Sequence, residues 1–329
     1  MFSRNWKLVD NRGTTDPAVN LALEEYTVRH GHPTFSYFFM YVNRPSVVLG
    51  RHQNVLGEVN LRVCWQDDIP VIRRISGGGT VVHDSGNLNF SFITDHSARN
   101  FNRYRQFLEP IVRVLRKLGA PVHIDERNNL VINTQKVSGN AQFTSRGRML
   151  SHGTLLFKAD LLRMRRLLER PHRLRIETRA TRSVKAEVTN IVPYLTVKIS
   201  IADLKRALLS EILGTGGAVL RYSEKEWQMI ERLAEEKYRS FAWNIGESPQ
   251  ARIRVHIRTT RSDPEIDYRL REGRLRQVTI NDPASDILAP LLEGQLLTKA
   301  TFDAARLYMR RYGDGQLKEK AICLLQNMI

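Results

Sequence analysis

Arg73-Arg74-Ile75-Ser76-Gly77-Gly78-Gly79-Thr80-Val81-Val82-His83-Asp84 is the stretch from which the rest of this 329-residue chain is read. Three consecutive glycines between two apolar segments cost chain entropy and add no side-chain packing. They make sense where backbone approaches a ligand closely and aims its N–H groups at it; taken alone, they also fit a flexible turn. The two arginines before them suit an anionic ligand. No Gly-Lys-Ser/Thr follows, so this is not a Walker A loop, and Val82 stands where the last glycine of a GxGxxG fingerprint belongs.

Working outward, the glycines join strand-like segments. Residues 35–41 and 47–49 read as buried strands, with Asn43-Arg44-Pro45 turning between them. Residues 87–93 alternate, with Leu88, Phe90 and Phe92 on one face and Asn87, Asn89 and Ser91 on the other. Further strands are expected at 71–74, 130–132, 135–142 and 150–157. Asp16-Pro17 supplies an N-cap and a proline at the first helical position, and Gly31 can end that helix. Other helices are expected at 104–118, 159–168 and 201–213, and from Ser223, where Glu226 completes a capping box. The elements interleave without a regular βαβ period, which predicts a mixed α+β sheet domain.

A seam falls at residues 243–249. Beyond it Ile253, Val255 and Ile257 alternate, a hairpin turns at Glu272-Gly273, and two or three helices follow. Two domains are expected, 1–247 for the catalytic unit and 248–329 for a small α+β C-terminal accessory unit.

The net charge of +17 is the one abnormal feature of an otherwise ordinary composition. Much of it lies between Arg163 and Lys185, where seven further arginines stand against only Glu169 and Glu177. This reads as a solvated basic face or as a docking surface for an acidic protein. No helix-turn-helix, RRM, KH or zinc pattern supports nucleic-acid binding. No apolar run is long enough for a membrane span, and the first residues carry no apolar core of a signal peptide. Cys64 and Cys323 form no disulfide framework. A reducing, cytoplasmic setting is expected.

A second motif is Gln135-Lys136-Val137-Ser138-Gly139, followed by His152-Gly153-Thr154. A lysine inside a strand pattern is commonly a solvated outward residue. Its functional reading is a fixed cation between a carboxylate and a phosphate as they join. The glycine loop, Lys136-Val137-Ser138-Gly139 and His152-Gly153-Thr154-Leu155-Leu156 together resemble the lipoate-protein ligase A family. Asn20-Leu21-Ala22-Leu23-Glu24-Glu25, Val47-Val48-Leu49-Gly50-Arg51-x-Gln53-Asn54, Ser183-Val184-Lys185-Ala186-Glu187-Val188-Thr189-Asn190 and Trp243-Asn244-Ile245-Gly246 continue the resemblance in order.

The resemblance implies a biotin/lipoate-ligase-type mixed-sheet catalytic domain. It implies that lipoate and ATP, with Mg²⁺ as Mg-ATP, form lipoyl-adenylate, which an acceptor lysine then attacks. It implies that Arg74, Gly79, Thr80, Val81, Val82 and Lys136 bind ATP, with Lys136 also the catalytic cation. Lipoate falls to Lys136, Arg73, Ser76, Gly77, Gly78 and His152. His83, Asp84 and Asn87 are further candidates, Asp84 equally as a turn residue. The implied partner is an acidic apo lipoyl-domain or H-protein-like acceptor.

Two departures stand out. Asn129 occupies the aspartate position of the family's Arg-Asn-Asp-Leu, which leaves the metal ligands unassigned. Lys185 replaces an arginine. A lipoyltransferase that accepts preformed lipoyl-adenylate therefore stays open, as does a basic nucleic-acid-binding regulator from another class. A cysteine-based acyltransferase needs a thiol in the site, and neither cysteine lies in a motif.

Overall fold

The computed structural model describes residues 6–96, 102–171, 173–214, 217–257, 263–313 and 315–329. Its strands are, in chain order, β1 (Trp6–Val9), β2 (Ser36–Tyr41), β3 (Ser46–Leu49), β4 (Val71–Arg73), β5 (Val81–His83), β6 (Asn87–Asp95), β7 (Val122–Ile124) and β8 (Leu130–Ile132). They continue with β9 (Gln135–Ser138), β10 (Asn140–Ser145), β11 (Arg148–Leu156), β12 (Leu174–Thr178), β13 (Ala218–Leu220), β14 (Ala251–His256), β15 (Glu265–Arg271) and β16 (Arg274–Ile280). The helices are α1 (Pro17–His30), α2 (Val55–Glu58), α3 (Leu61–Gln66), α4 (Tyr104–Lys117), α5 (Leu161–Leu168), α6 (Ile201–Leu213), α7 (Glu224–Leu233), α8 (Ser285–Leu292), α9 (Lys299–Tyr312) and α10 (Gly315–Asn327). Among the described residues no helix is long and apolar enough to cross a membrane.

The main sheet runs β10-β11-β6-β2-β1-β13. It is mixed: β1 pairs in parallel with β2 and β13, while β6 pairs antiparallel with β2 and β11. The alternation in β6 decides its faces. Leu88, Phe90 and Phe92 join α4 and α6 in one apolar core. The opposite face carries Asn87, Asn89 and Ser91, and these are buried as well. Polar groups buried on a core strand need partners, and α1 supplies one: Ser91 Oγ donates to Glu24 on that helix. The same side holds a separate core of α1, α7, Tyr37, Phe39 and Ile93. Asp16 caps α1 by accepting from the Ala18 amide, as its sequence signature predicts.

The expected strand at 135–142 is two strands. It breaks at Gly139, so β9 joins the small β7-β8-β9 sheet while β10 edges the main one. A second small sheet, β4-β3-β5, carries the glycine loop between β4 and β5.

The last sheet, β12-β14-β15-β16, is antiparallel throughout. Its edge strand β12 comes from residues ahead of the seam at 243–249. Glu272 and Gly273 both take positive φ, 52° and 70°, the backbone a tight two-residue hairpin requires. One apolar core joins this sheet and α8–α10 to β3, α2 and α3.

Candidate active site

The glycine loop rests on Arg74, the residue just after β4. Its buried guanidinium donates to Ser76 Oγ (2.9 Å), to the Val48 carbonyl (3.3 Å), and to the carbonyls of Gly77 (2.6 Å) and Gly79 (2.8 Å). The loop is thus braced from beneath. Gly78 has φ +88°, open to glycine at little cost. Its carbonyl lies 2.0 Å from where a Cβ on Gly50 would stand, so Gly50 is needed for the close approach.

A cavity of about 350 Å³ opens beside this loop, lined by Arg74, Gly78, Gly79, Thr80, Val81, His83, Lys136 and His152 together with Tyr41, Asn89, Arg127 and Asn129. A second, of about 610 Å³, adjoins it and is lined by Val82, Leu156, Met164, Arg165, Arg170 and Lys185. Thr80, Val81, Lys136, Gly139, Thr154 and Ser183 line both. Lys136 therefore stands where the two meet.

Lys136 comes from β9, which also pairs with residues 187–189 through the Lys136 amide on Glu187 (2.8 Å) and the Thr189 amide on the Lys136 carbonyl (3.0 Å). Among the described residues no hydrogen bond or ion pair engages its ammonium. Nζ lies 2.9 Å from the position of a Cβ on Gly139, which keeps that space open. Burial holds the ammonium below its ordinary value; nearby Asp125 opposes this, while Arg74 and Arg127 reinforce it.

Beneath the first cavity runs a buried chain. His152 Nδ1 is 3.1 Å from Glu24 Oε2, and its Nε2 is 2.7 Å from Ser76 Oγ. Glu24 already accepts from Tyr41 and Ser91 and faces Nδ1 as an acceptor, so Nδ1 carries the ring proton and Nε2 of the neutral ring accepts from Ser76 Oγ. Tyr41 OH also donates to Glu24, at 3.1 Å. The order serine, histidine, carboxylate suggests a nucleophile, but Ser76 is fully buried and lines neither cavity. The chain orients His152 instead. Glu25, its neighbour, turns the other way, to Lys237 (2.7 Å) and Tyr238 (2.6 Å).

His83 is held neutral, its value pushed down to about 3 by burial, then by Arg74 and His152. Asn43 Oδ1 accepts from Asn20, so its Nδ2 donates to His83 Nδ1 at 2.9 Å, which leaves the ring proton on Nε2.

A polar knot holds residues 181–186 against the cavities. Gln53 accepts from Thr80 Oγ1 (2.8 Å) and donates to Ser183 Oγ (3.0 Å), which also accepts from the Thr80 amide (3.0 Å). Ser183 Oγ in turn donates to the buried Glu58.

Five of the residues implied by the resemblance line neither cavity: Arg73, Ser76, Gly77, Asp84 and Asn87. Arg73 is fully buried and donates to the carbonyls of Gly50, Arg51, Gln53, Trp243 and Asn244 and to Ser248 Oγ. Its donors are spent on tying the 50–53 loop to the seam at 243–248, so it has none left for lipoate. Asp84 is a turn residue, accepting from the Gly86 amide (2.8 Å) and the Asp160 amide (2.7 Å). Asn87 donates to Asn89 (3.0 Å). The sequence reading gave no role to Glu24, Tyr41, Gln53, Glu58 or Ser183. Glu24, Gln53 and Ser183 sit inside motifs that carry the resemblance; Tyr41 and Glu58 have no local signal.

Neither thiol reaches the cavities. Cys64 is buried in the C-terminal core, and burial together with Asp67 pushes it up to about 12, so it carries no thiolate. Cys323 lies on α10. A Cys64→Ala, Cys323→Ser variant is expected to keep turnover within about twofold of wild type. An acyl-thioester on either residue, trapped by mass spectrometry, would refute this.

Residues 16–213 match the family model of the lipoyl protein ligase A/B catalytic domain. A lipoate-protein ligase of Bacillus subtilis is 36% identical over 276 residues, covering 83% of each chain. A crystal structure of lipoate-protein ligase A bound with ATP superposes with a TM-score of 0.62 at 26% identity, over 75% of this chain and all of the other. A lipoate protein ligase structure from T. acidophilum with bound lipoic acid gives 0.61 at 26% identity, over 74% and 99%. An α+β mixed-sheet fold, a braced glycine loop and this likeness agree: the chain belongs to the lipoyl protein ligase A/B catalytic domain family and is a ligase of the lipoate-protein type.

Proposed function

We propose that this enzyme activates lipoate with ATP and transfers the lipoyl group to a lysine of an acceptor protein. The observation that carries this is the position of Lys136, a half-buried ammonium at the junction of two cavities that is unpaired among the described residues. Lipoate would occupy the first cavity, with its carboxylate toward Lys136. Adenosine would occupy the second, along Thr80, Val81 and Val82. A carboxylate oxygen then attacks the α-phosphorus, the bond to the β-phosphate oxygen breaks, and pyrophosphate leaves. In the second step an acceptor amine attacks the acyl carbon, loses a proton and releases AMP. Support comes from similarity to one structure holding lipoic acid and another holding ATP. The test is to supply lipoate, Mg²⁺-ATP and an apo lipoyl domain and to follow the acceptor by mass. A lipoyl increment that depends on both substrates is expected; an unmodified acceptor would contradict the proposal.

The acceptor is proposed to be acidic. Arg165, Arg182 and Lys185 line the second cavity, Arg166 lies on α5, Arg175 on β12 and Arg179 just after it; all six are exposed, and Leu162 and Val184 are 75% and 67% exposed. Such a surface steers an oppositely charged partner at low salt. Arg166→Glu, Arg175→Glu and Arg179→Glu together leave the cavity walls untouched. They are expected to raise the acceptor KM about tenfold or more at low ionic strength, with lipoate-dependent pyrophosphate release unchanged. An unaltered KM would remove this surface from the account.

One observation favours a second reading, transfer from preformed lipoyl-adenylate. Asn129, where the family's pattern has aspartate, lines the first cavity. Pyrophosphate release separates the two readings.

A further inference from the structure

Magnesium takes octahedral oxygen ligands at about 2.1 Å, commonly one or two carboxylates with phosphate and water. The first cavity offers no carboxylate: its ionised residues are Arg74, Arg127, Lys136 and Arg182. Of the two in the second, Glu58 is engaged by the amide and hydroxyl of Ser183, and Glu169 shares its wall with Arg165 and Arg170. Among the described residues no group of three His, Cys, Asp or Glu side chains could hold a metal ion. The donor set does not fit a magnesium ion held by the protein.

Asp125 stands behind the first cavity's wall at Arg127 and Asn129, and its oxygens are taken. Oδ1 accepts from the amides of Arg127 (2.9 Å) and Asn129 (2.7 Å). Oδ2 accepts from Asn129 Nδ2 at 2.8 Å. The amide at 129 is what makes this contact attractive. With a carboxylate there, two anionic oxygens would meet at the same distance, and the two could not both stay ionised without a cation between them. The surrounding cations further disfavour a free divalent ion.

We infer that this chain holds no divalent cation on its own side chains in the active site, and that the Asn129–Asp125 hydrogen bond stands where a carboxylate pair would demand one. Magnesium enters and leaves as the counter-ion of ATP, a consequence that rests on the ligase reading. Lys136 and Arg182, which line both cavities, supply fixed positive charge for the phosphates.

The test is Mn²⁺ binding to the nucleotide-free protein, followed by electron paramagnetic resonance. Wild type is expected to show no site tighter than about millimolar. Asn129→Asp is expected to gain one ion per chain at least about tenfold more tightly, and a further Asp125→Asn to lose it. One equivalent of tightly bound Mn²⁺ on wild type would overturn the inference, whatever the variants do, and so would an Asn129→Asp protein that folds and gains nothing. In parallel, ATP binding to wild type in EDTA is expected within about tenfold of that with Mg²⁺; its disappearance in EDTA alone would also overturn it. The manganese arm needs no nucleotide, so it reads the donor set independently. Failure of ATP to bind with and without Mg²⁺ counts against the ligase reading instead.

Discussion

Lys136→Met is expected to lower lipoate-dependent pyrophosphate release by about 10²–10³, equivalent to roughly 3–4 kcal/mol. As carboxylate and α-phosphate join, negative charge builds on the oxygens between them. An ammonium already fixed there stabilises that state more than the separate substrates. Methionine keeps the apolar stem, so folding should be spared, and a thermal melt checks this. Lys136→Arg is expected to rescue poorly. The compact ammonium packs over Gly139, 2.9 Å from the position of a missing Cβ, and a planar guanidinium does not fit the same space. A folded Met variant within about threefold of wild type would return Lys136 to an ordinary strand lysine.

The second large effect falls on stability. Arg73→Met is expected to cost about 3–5 kcal/mol, because it removes the buried contacts to the carbonyls of Gly50, Gln53 and Asn244. The two loops it joins, 50–53 and 243–248, should open first, and urea unfolding should shift to a lower midpoint. Lipoate KM in the protein that remains folded should be near wild type. A stable Arg73→Met protein with a raised lipoate KM would show instead that Arg73 holds the substrate.

Arg73 and Arg74 mark how far the sequence alone could be read. The pair suggests an anionic ligand beside the glycines, and of the two only Arg74 lines the cavity there. Successive residues of a strand face opposite ways, so only one of two adjacent arginines can serve the cavity. Strand periodicity alone does not say which. The alternation at residues 87–93 identified β6, yet its polar face is buried because α1 brings Glu24 to Ser91, 67 positions away. Capping chemistry made α1 and α7 legible, since Asp16, Ser223 and Glu226 act within a few residues. The His152–Glu24 contact and the Gln53–Ser183–Glu58 knot join residues more than a hundred positions apart. Their partners have no local signature. Gly139 was read as part of a continuous strand; the break there is what lets β9 and β10 enter different sheets and aims Lys136 at the cavities.

The central claim, that Lys136 joins a lipoate site to a nucleotide site, is tested most directly without any acceptor. The enzyme is mixed in stoichiometric amount with lipoate and Mg²⁺-ATP, and pyrophosphate is followed through a single turnover. About one equivalent released per chain, dependent on lipoate and slowed about 10²–10³ in Lys136→Met, is the expected result. No pyrophosphate from wild type, together with acceptor modification from synthetic lipoyl-adenylate, would contradict it.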